Sequence, residues 1–165
     1  MCKEGVKKMR LNIGSGKEYR QDWLNIDVNK KFNPDIVMDM RSLMFPDESV
    51  EEILMQDVLD HVTFVEGKEV LRKCYGWLKN NGTLNIRTPN LSFIGREASK
   101  GNHEAIKWLY GSDGEGHTNY DSNLIRWCYS ENSLRIIMEA IGFIVIDAHT
   151  ENLEYSLRMI GVKRI

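Results

Sequence analysis

The sequence predicts an α/β fold built around a mostly parallel sheet, because short apolar segments with polar ends recur along the chain. Five of them precede residue 90, and segments with helical periodicity lie between the later ones. Near-continuous apolar runs of this length are typical of strands that a parallel sheet buries on both faces. The five predicted strands are Leu11–Ile13, Leu24–Asp27, Asp35–Asp39, Ile53–Met55 and Thr83–Arg87.

Two helices are predicted from periodicity and capping residues. Apolar residues recur at helical spacing from Thr63 to Lys79, and residues 80–82 (Asn-Asn-Gly) are expected to end that helix with a left-handed cap. Ser130 is a suitable N-cap for a second helix over 131–141, which Gly142 closes.

Two further strands are predicted at the end of the chain, over Phe143–Asp147 and Leu157–Lys163. Their close spacing indicates a hairpin, so one of them runs antiparallel to the other strands. With no internal repeat or evident linker, we expect residues 1–165 to form a single domain. Residues 91–129 are rich in glycine, asparagine, aspartate and aromatic residues, with a helix around His103–Tyr110, and are interpreted as an insertion.

The first two connections between strands are unusually short. Lys17–Asp22 and Asn29–Pro34 each provide only six residues, which is too few for an ordinary crossover helix. One face of the early half of the sheet is therefore expected to be thinly covered, and a homodimer is one way to cover it.

Composition narrows the functional classes. Hydrophobic residues make up 42% and charged residues 28%, as in ordinary soluble proteins, and no apolar run approaches the length of a membrane span. The formal charge of −2 gives no basis for a nucleic-acid partner. Three widely spaced cysteines suggest neither disulfides nor a metal site, so we expect a cytoplasmic protein without a bound metal.

The most informative motif is a glycine turn after the first strand, Gly14-Ser15-Gly16, followed by Asp27 at the end of the second strand. Glycines let the backbone approach a ligand closely, and a carboxylate in this position can accept hydrogen bonds from ribose hydroxyls. The pattern predicts a cofactor that contains a nucleoside. A nicotinamide dinucleotide is disfavoured, because its fingerprint requires a glycine where Tyr19 stands and an acidic residue later than Asp27.

The ordered strands and this motif resemble the class I S-adenosylmethionine-dependent methyltransferases, whose Rossmann-like seven-stranded sheet has helices on both faces and an antiparallel last strand. The opening Leu11–Gly16, the second strand Trp23–Asp27 and the pair Gly142-Phe143 resemble a group of small methyltransferases of that class. The resemblance covers nearly the whole chain, apart from its abbreviated first crossovers.

The resemblance implies S-adenosylmethionine as the cofactor and a role for each matching residue. The glycine turn would bend around its methionine portion, Asp27 would hold the ribose, and Asp39 with the backbone of Met40 would meet the adenine. Gln56 and Asp57 would lie beside the methionine and the methyl group, whereas Asp60 and His61 are more simply interpreted as structural, capping the helix that follows. The cofactor residues are Gly14, Ser15, Gly16, Asp27, Asp39, Met40, Gln56 and Asp57.

The methyl acceptor and any catalytic base are less well defined by the sequence. The 91–129 insertion is expected to form the acceptor pocket for a small molecule. His117 within it is the candidate for an acid or base, because its ordinary pKa suits proton removal at neutral pH. Trp108 and Trp127 are expected to pack the insertion onto the sheet. A non-catalytic protein that binds the same cofactor is the alternative.

Overall fold

A computed structural model describes residues 8–110 and 124–164. One seven-stranded sheet organises them, in the order β3-β2-β1-β4-β5-β7-β6. The first five strands are mutually parallel, and β7 pairs antiparallel with both β5 and β6. This topology confirms the predicted fold class. The strands are β1 (Arg10–Ile13), β2 (Leu24–Asp27), β3 (Ile36–Val37), β4 (Val50–Gln56), β5 (Leu78–Pro89), β6 (Phe143–Glu151) and β7 (Ser156–Lys163).

Four α-helices and three short 3₁₀ helices accompany the sheet in the described part of the chain. Capping boxes begin the first and last α-helices, with Thr63 and Ser130 as the N-caps. The α-helices are α1 (Phe64–Trp77), α2 (Leu91–Ser99), α3 (His103–Tyr110) and α4 (Glu131–Ile141), and the 3₁₀ helices are Lys30–Phe32, Met40–Ser42 and Leu59–His61.

The structure corrects three local expectations. Helix α1 ends at Trp77 rather than in a left-handed cap at residues 80–82, because Leu78 is already extended and pairs with Val50 in the sheet. Strand β3 is only two residues long. Helix α2 was not predicted from the mixed composition of the segment after Pro89.

The two faces of the sheet differ in composition. Leu11, Ile53 and Leu84 lie side by side in register, and they pack in one core cluster with side chains of α1 and α4. We call this side the helix face. The intervening positions point the other way, and we call that side the asparagine face. Its central row, in register across six strands, is Asn25, Asn12, Leu54, Asn85, Ile160 and Asp147.

A short segment, residues 17–23, covers the asparagine face over β1 and β2. Asn12 donates a hydrogen bond to the carbonyl of Glu18 at 2.9 Å, and Asn25 exchanges two hydrogen bonds of 2.9 Å with the backbone of Arg20. The Trp23 ring lies beneath the guanidinium groups of Arg10 and Arg20, at 5.1 and 5.7 Å. This packing replaces the crossover helix that the short connection cannot form.

Among the described residues, no helix combines the length and the apolar composition that crossing a membrane would require.

Candidate functional site

A cavity of about 860 Å³ opens where β1, β2 and β4 end. Parallel strands present their carboxyl ends at one edge of the sheet, and open α/β sheets bind ligands there. All eight predicted cofactor residues line this cavity, as do the neighbouring side chains Val58, His61, Val62, Arg87 and Arg126.

The glycine turn after β1 contains two glycines with different structural roles. Gly14 has φ +70° and lies so close to Val58 that an added Cβ would come within 2.5 Å of Val58 Cγ2. Gly16 has φ +51°, and an added Cβ would meet nothing within 4 Å. Gly14 is therefore required for packing of the turn against the end of β4, whereas Gly16 leaves open space on the cavity side.

Asp27 connects the glycine turn to the end of β2. Its two carboxylate oxygens accept hydrogen bonds from the backbone N–H groups of Gly16 and Asn29, each at 2.8 Å. Its side chain is nearly buried. Because each carboxylate oxygen has two lone pairs, the pre-positioned carboxylate can still accept hydrogen bonds from a ligand in the cavity.

Asp39 is the N-cap of the 3₁₀ helix that begins at Met40. The Arg41 guanidinium donates to both of its carboxylate oxygens, at 2.9 and 2.7 Å, and this hydrogen bonding lowers the pKa of Asp39. Arg41 also donates to Glu66 at 2.8 Å and brings the pKa of that carboxyl to about 2. Asp39 thus stays ionised at the cavity rim while its side chain caps the 3₁₀ helix.

Gln56 and Asp57 follow the end of β4. Asp57 has φ +51°, and its carboxylate accepts a hydrogen bond of 2.8 Å from Arg87 Nε on β5. This hydrogen bond raises the pKa of Arg87. The pair fixes one wall of the cavity, and the position of Arg87 at the end of a predicted strand was the sequence signal that could have identified it.

Asp60 and His61 do not cap helix α1, because Thr63 and Glu66 form its capping box. Asp60 is fully buried, and burial raises the pKa of its carboxyl to about 6. His61 lines the cavity, and its Nδ1 donates to the carbonyl of Leu124 at 3.1 Å. Both residues therefore organise the cavity wall, which agrees with a structural role.

Two further predictions concern the 91–129 segment. His117 lies outside the described residues. Trp108 packs on Tyr155, in the turn between β6 and β7, with ring centroids 5.2 Å apart, and Trp127 packs on Phe64 of α1 at 5.0 Å. The ring contacts of both tryptophans are therefore with a turn and a helix rather than with the strands of the sheet. Arg126 reaches the cavity without any motif that would have identified it in the sequence.

Comparison with known proteins identifies a domain in this arrangement. Residues 12–86, which include the glycine turn, Asp27, Asp39 and the end of β4, match the family model described as "Methyltransferase domain". The chain therefore contains a methyltransferase domain over these residues. No curated protein sequence matches the chain.

Solved structures share the methyltransferase fold over nearly the whole chain. An S-adenosylmethionine-dependent methyltransferase from Methanosarcina mazei is 15% identical with a TM-score of 0.71, covering 95% of this chain and 92% of the other. One from Mesorhizobium loti is 13% identical with a TM-score of 0.67, covering 94% and 90%. A Burkholderia thailandensis 1,6-didemethyltoxoflavin-N1-methyltransferase, solved with that compound and S-adenosylhomocysteine, is 15% identical with a TM-score of 0.61, covering 95% and 71%.

The residues that line the cavity fit S-adenosylmethionine, the cofactor that the sequence resemblance implies. The open space at Gly16 admits a ligand close to the backbone, and Asp27 presents a carboxyl group with unused lone pairs beside it. Apolar side chains of Val28, Met40 and Val58 line the same cavity. A polar end and an apolar wall suit a molecule that combines an amino acid, a ribose and a flat adenine ring.

Proposed function

We propose that this chain transfers the methyl group of S-adenosylmethionine to a small-molecule acceptor. The observation that carries the proposal is the single cavity lined by all eight residues that the sequence predicts for the cofactor. At about 860 Å³, the cavity lies near the upper end of the range of about 300–1,000 Å³ typical of small-molecule sites. A cofactor and a small acceptor can share a space of this size.

The proposed cofactor contacts follow the order of the strands. Gly14, Ser15 and Gly16 bend around the methionine portion, and Asp27 accepts from the ribose hydroxyls. At the other end, the adenine lies by Met40, whose backbone N–H faces a ring nitrogen. Asp39 accepts from the adenine amino group with the lone pairs that Arg41 leaves unused.

Gln56 and Asp57 are proposed to border the methionine portion and the transferred methyl group. The ion pair between Asp57 and Arg87 holds the Asp57 carboxylate in a fixed direction, and a carboxylate there attracts the ammonium group of an amino acid. The role of Asp57 is therefore orientation of the cofactor rather than proton transfer.

The cofactor supplies an electrophilic methyl group on a sulfonium, and the protein supplies alignment of the acceptor with it. An acceptor oxygen or nitrogen that carries a proton also requires a base. His117 stays the prediction for that base, and the 91–129 segment stays the prediction for the acceptor pocket.

Titration calorimetry with S-adenosylmethionine and S-adenosylhomocysteine tests the cofactor assignment. We expect the Asp27→Asn variant to bind both compounds about 10- to 100-fold more weakly, because a hydrogen bond to a charged group is worth about 1.5–3 kcal/mol. Asp22→Asn is the matched control, because it is the same substitution at an exposed position in the loop before β2. Equal affinities in both variants would overturn the ribose contact.

Methyl transfer itself is tested with radiolabelled S-adenosylmethionine and pooled small-molecule acceptors, with RNA and unfolded protein offered in parallel. Radiolabel in a small-molecule product supports the proposal. Radiolabel in RNA or protein would show that the acceptor belongs to that class instead of being a small molecule. Tight cofactor binding with no labelled product from any pool would instead support the non-catalytic alternative.

A further inference from the structure

A short stretch on the cavity wall, residues 124–127, is fixed to the 3₁₀ helix Leu59–His61 by three hydrogen bonds. The carbonyl of Asp60 accepts from the backbone N–H groups of Arg126 and Trp127, at 2.8 and 3.2 Å. The third hydrogen bond is the one from His61 Nδ1 to the carbonyl of Leu124. The backbone of Arg126 is therefore held in place beside the cavity.

Arg126 differs from the other two arginines that line the cavity. Arg41 is paired with Asp39 and Glu66, and Arg87 is paired with Asp57. No carboxylate in the part of the chain that the structure describes pairs with the guanidinium of Arg126. Its positive charge is therefore available to a ligand, whereas the charges of the other two are neutralised.

Arg126 also lines a second, smaller cavity of about 250 Å³. The other residues that line this cavity are Leu91, Leu109, Ile125, Trp127 and Cys128. These side chains carry no charge, and four of the five are hydrocarbon or indole groups. Arg126 thus lines both the polar cavity that contains the cofactor residues and the apolar one beside it.

We infer that the methyl acceptor is a small carboxylic acid with an apolar body, an assignment that rests on the proposed function. The guanidinium of Arg126 binds the carboxylate, since its planar set of N–H donors matches the two oxygens of a carboxylate. The apolar body occupies the cavity by Leu91, Leu109 and Trp127. One unpaired guanidinium balances one negative charge, which favours a carboxylate over a phosphate dianion.

The test compares acids with amides of nearly the same shape on protein saturated with S-adenosylhomocysteine. The probes are benzoate with benzamide, phenylacetate with phenylacetamide, and hexanoate with hexanamide, titrated by calorimetry. We expect at least one acid to bind about 10-fold more tightly than its amide, the difference that one charge-assisted hydrogen bond can supply.

Variants then test whether Arg126 causes the preference for the acid over the amide. Arg126→Gln should abolish the preference for the acid, Arg126→Lys should retain part of it, and Arg72→Gln, which removes an exposed arginine on α1 outside both cavities, should leave it intact. Equal binding of acid and amide to the wild-type protein, a preference that survives Arg126→Gln, or no binding by any acid would each overturn the assignment.

The affinity for S-adenosylhomocysteine, measured in the same preparations, separates the two proposals. If S-adenosylhomocysteine binds but acids are not preferred, the acceptor assignment fails alone. If S-adenosylhomocysteine does not bind, the proposed function fails as well, and the acceptor assignment that rests on it is withdrawn.

Discussion

The helix face and the asparagine face are two sides of one sheet that are stabilised by different interactions. On the helix face, strand residues such as Leu84 pack with α1 and α4 in one apolar cluster. On the asparagine face, the neighbouring residues Asn12 and Asn25 are buried by hydrogen bonds to a seven-residue segment. A parallel sheet can thus be covered without a helix when its strands carry polar side chains that bind a loop.

This difference also affects the candidate site. The segment over the asparagine face begins directly after Gly16, and the second strand of the asparagine network ends at Asp27, two residues after Asn25. The hydrogen bonds that bury the asparagines therefore hold in place both the glycine turn and the Asp27 carboxylate. The geometry of the candidate site thus depends on these polar contacts, which take the place of a crossover helix.

The largest effect is expected from Leu84→Ala on the helix face. Leu84 is fully buried in the apolar cluster, so its truncation leaves a cavity and should lower the free energy of unfolding by about 2–5 kcal/mol. Urea denaturation monitored by tryptophan fluorescence measures it. A cost below about 1 kcal/mol would show that the helix face relaxes around the cavity and is not the tightly packed side.

A smaller loss is expected from Asn25→Ala on the asparagine face. Asn25 accepts from Asn12 and from the backbone N–H of Arg20, and its amide N–H donates to Asp35 at 3.0 Å. Truncation leaves the buried amide of Asn12 and the partly buried N–H of Arg20 without this acceptor, at about 1–3 kcal/mol in the free energy of unfolding. The same urea experiment measures it, and S-adenosylhomocysteine affinity should fall with it. Unchanged stability would mean that water replaces the amide, so that this half of the face is open.

A third effect depends on pH and concerns a polar side chain buried without a full set of partners. Asp60 Oδ1 has no hydrogen-bond partner among residues 8–110 and 124–164, and the groups near the carboxyl there are His61, Asp57, Cys128 and Tyr129. Because its folded pKa of about 6 exceeds the ordinary value of 3.8, the folded state binds the proton more tightly than the unfolded chain. Stability from this group is therefore present below about pH 4 and is lost as the pH rises to about 6.

Asp60→Asn stays neutral and should not show this loss. Thermal unfolding midpoints of both proteins at about pH 4.5 and about pH 7.5 measure the loss. Relative to the wild type, the midpoint of the variant should be higher at about pH 7.5 than at about pH 4.5. If the midpoints of the two proteins differ by the same amount at both pH values, the Asp60 carboxyl is in contact with water.

The sequence predicted the helix face better than the asparagine face. Apolar residues and capping residues located the strands, α4 and the start of α1, because burial and capping leave local signals. The triplet Leu-Asn-Ile occurs in β1, β2 and β5. Its alternation of apolar and polar residues indicates a polar second face, whereas the interpretation as near-continuous apolar runs predicts two apolar faces. The partner of each asparagine lies in a loop whose path has no periodicity.

The candidate site likewise contains one part that could be predicted from the sequence and one part that could not. The glycine turn, Asp27 and the end of β4 follow strands, so their meeting at one edge could be predicted once the strands were ordered. Arg126 could not be predicted, because its place depends on hydrogen bonds to Asp60, which is 66 positions away in the sequence.

The smallest effect is expected from Asn85→Ala, the same substitution in the far half of the asparagine face. Asn85 is only half-buried and accepts one hydrogen bond of 2.6 Å from Arg158 Nη1, while Arg158 Nε keeps Glu151 as its partner at 2.6 Å. Water can replace the lost acceptor, so the free energy of unfolding should change by about 0.5 kcal/mol or less. Urea denaturation of Asn85→Ala beside Asn25→Ala makes the comparison direct. If the two variants lose equal stability, polar coverage extends across the whole face, and the far half is also covered in solution.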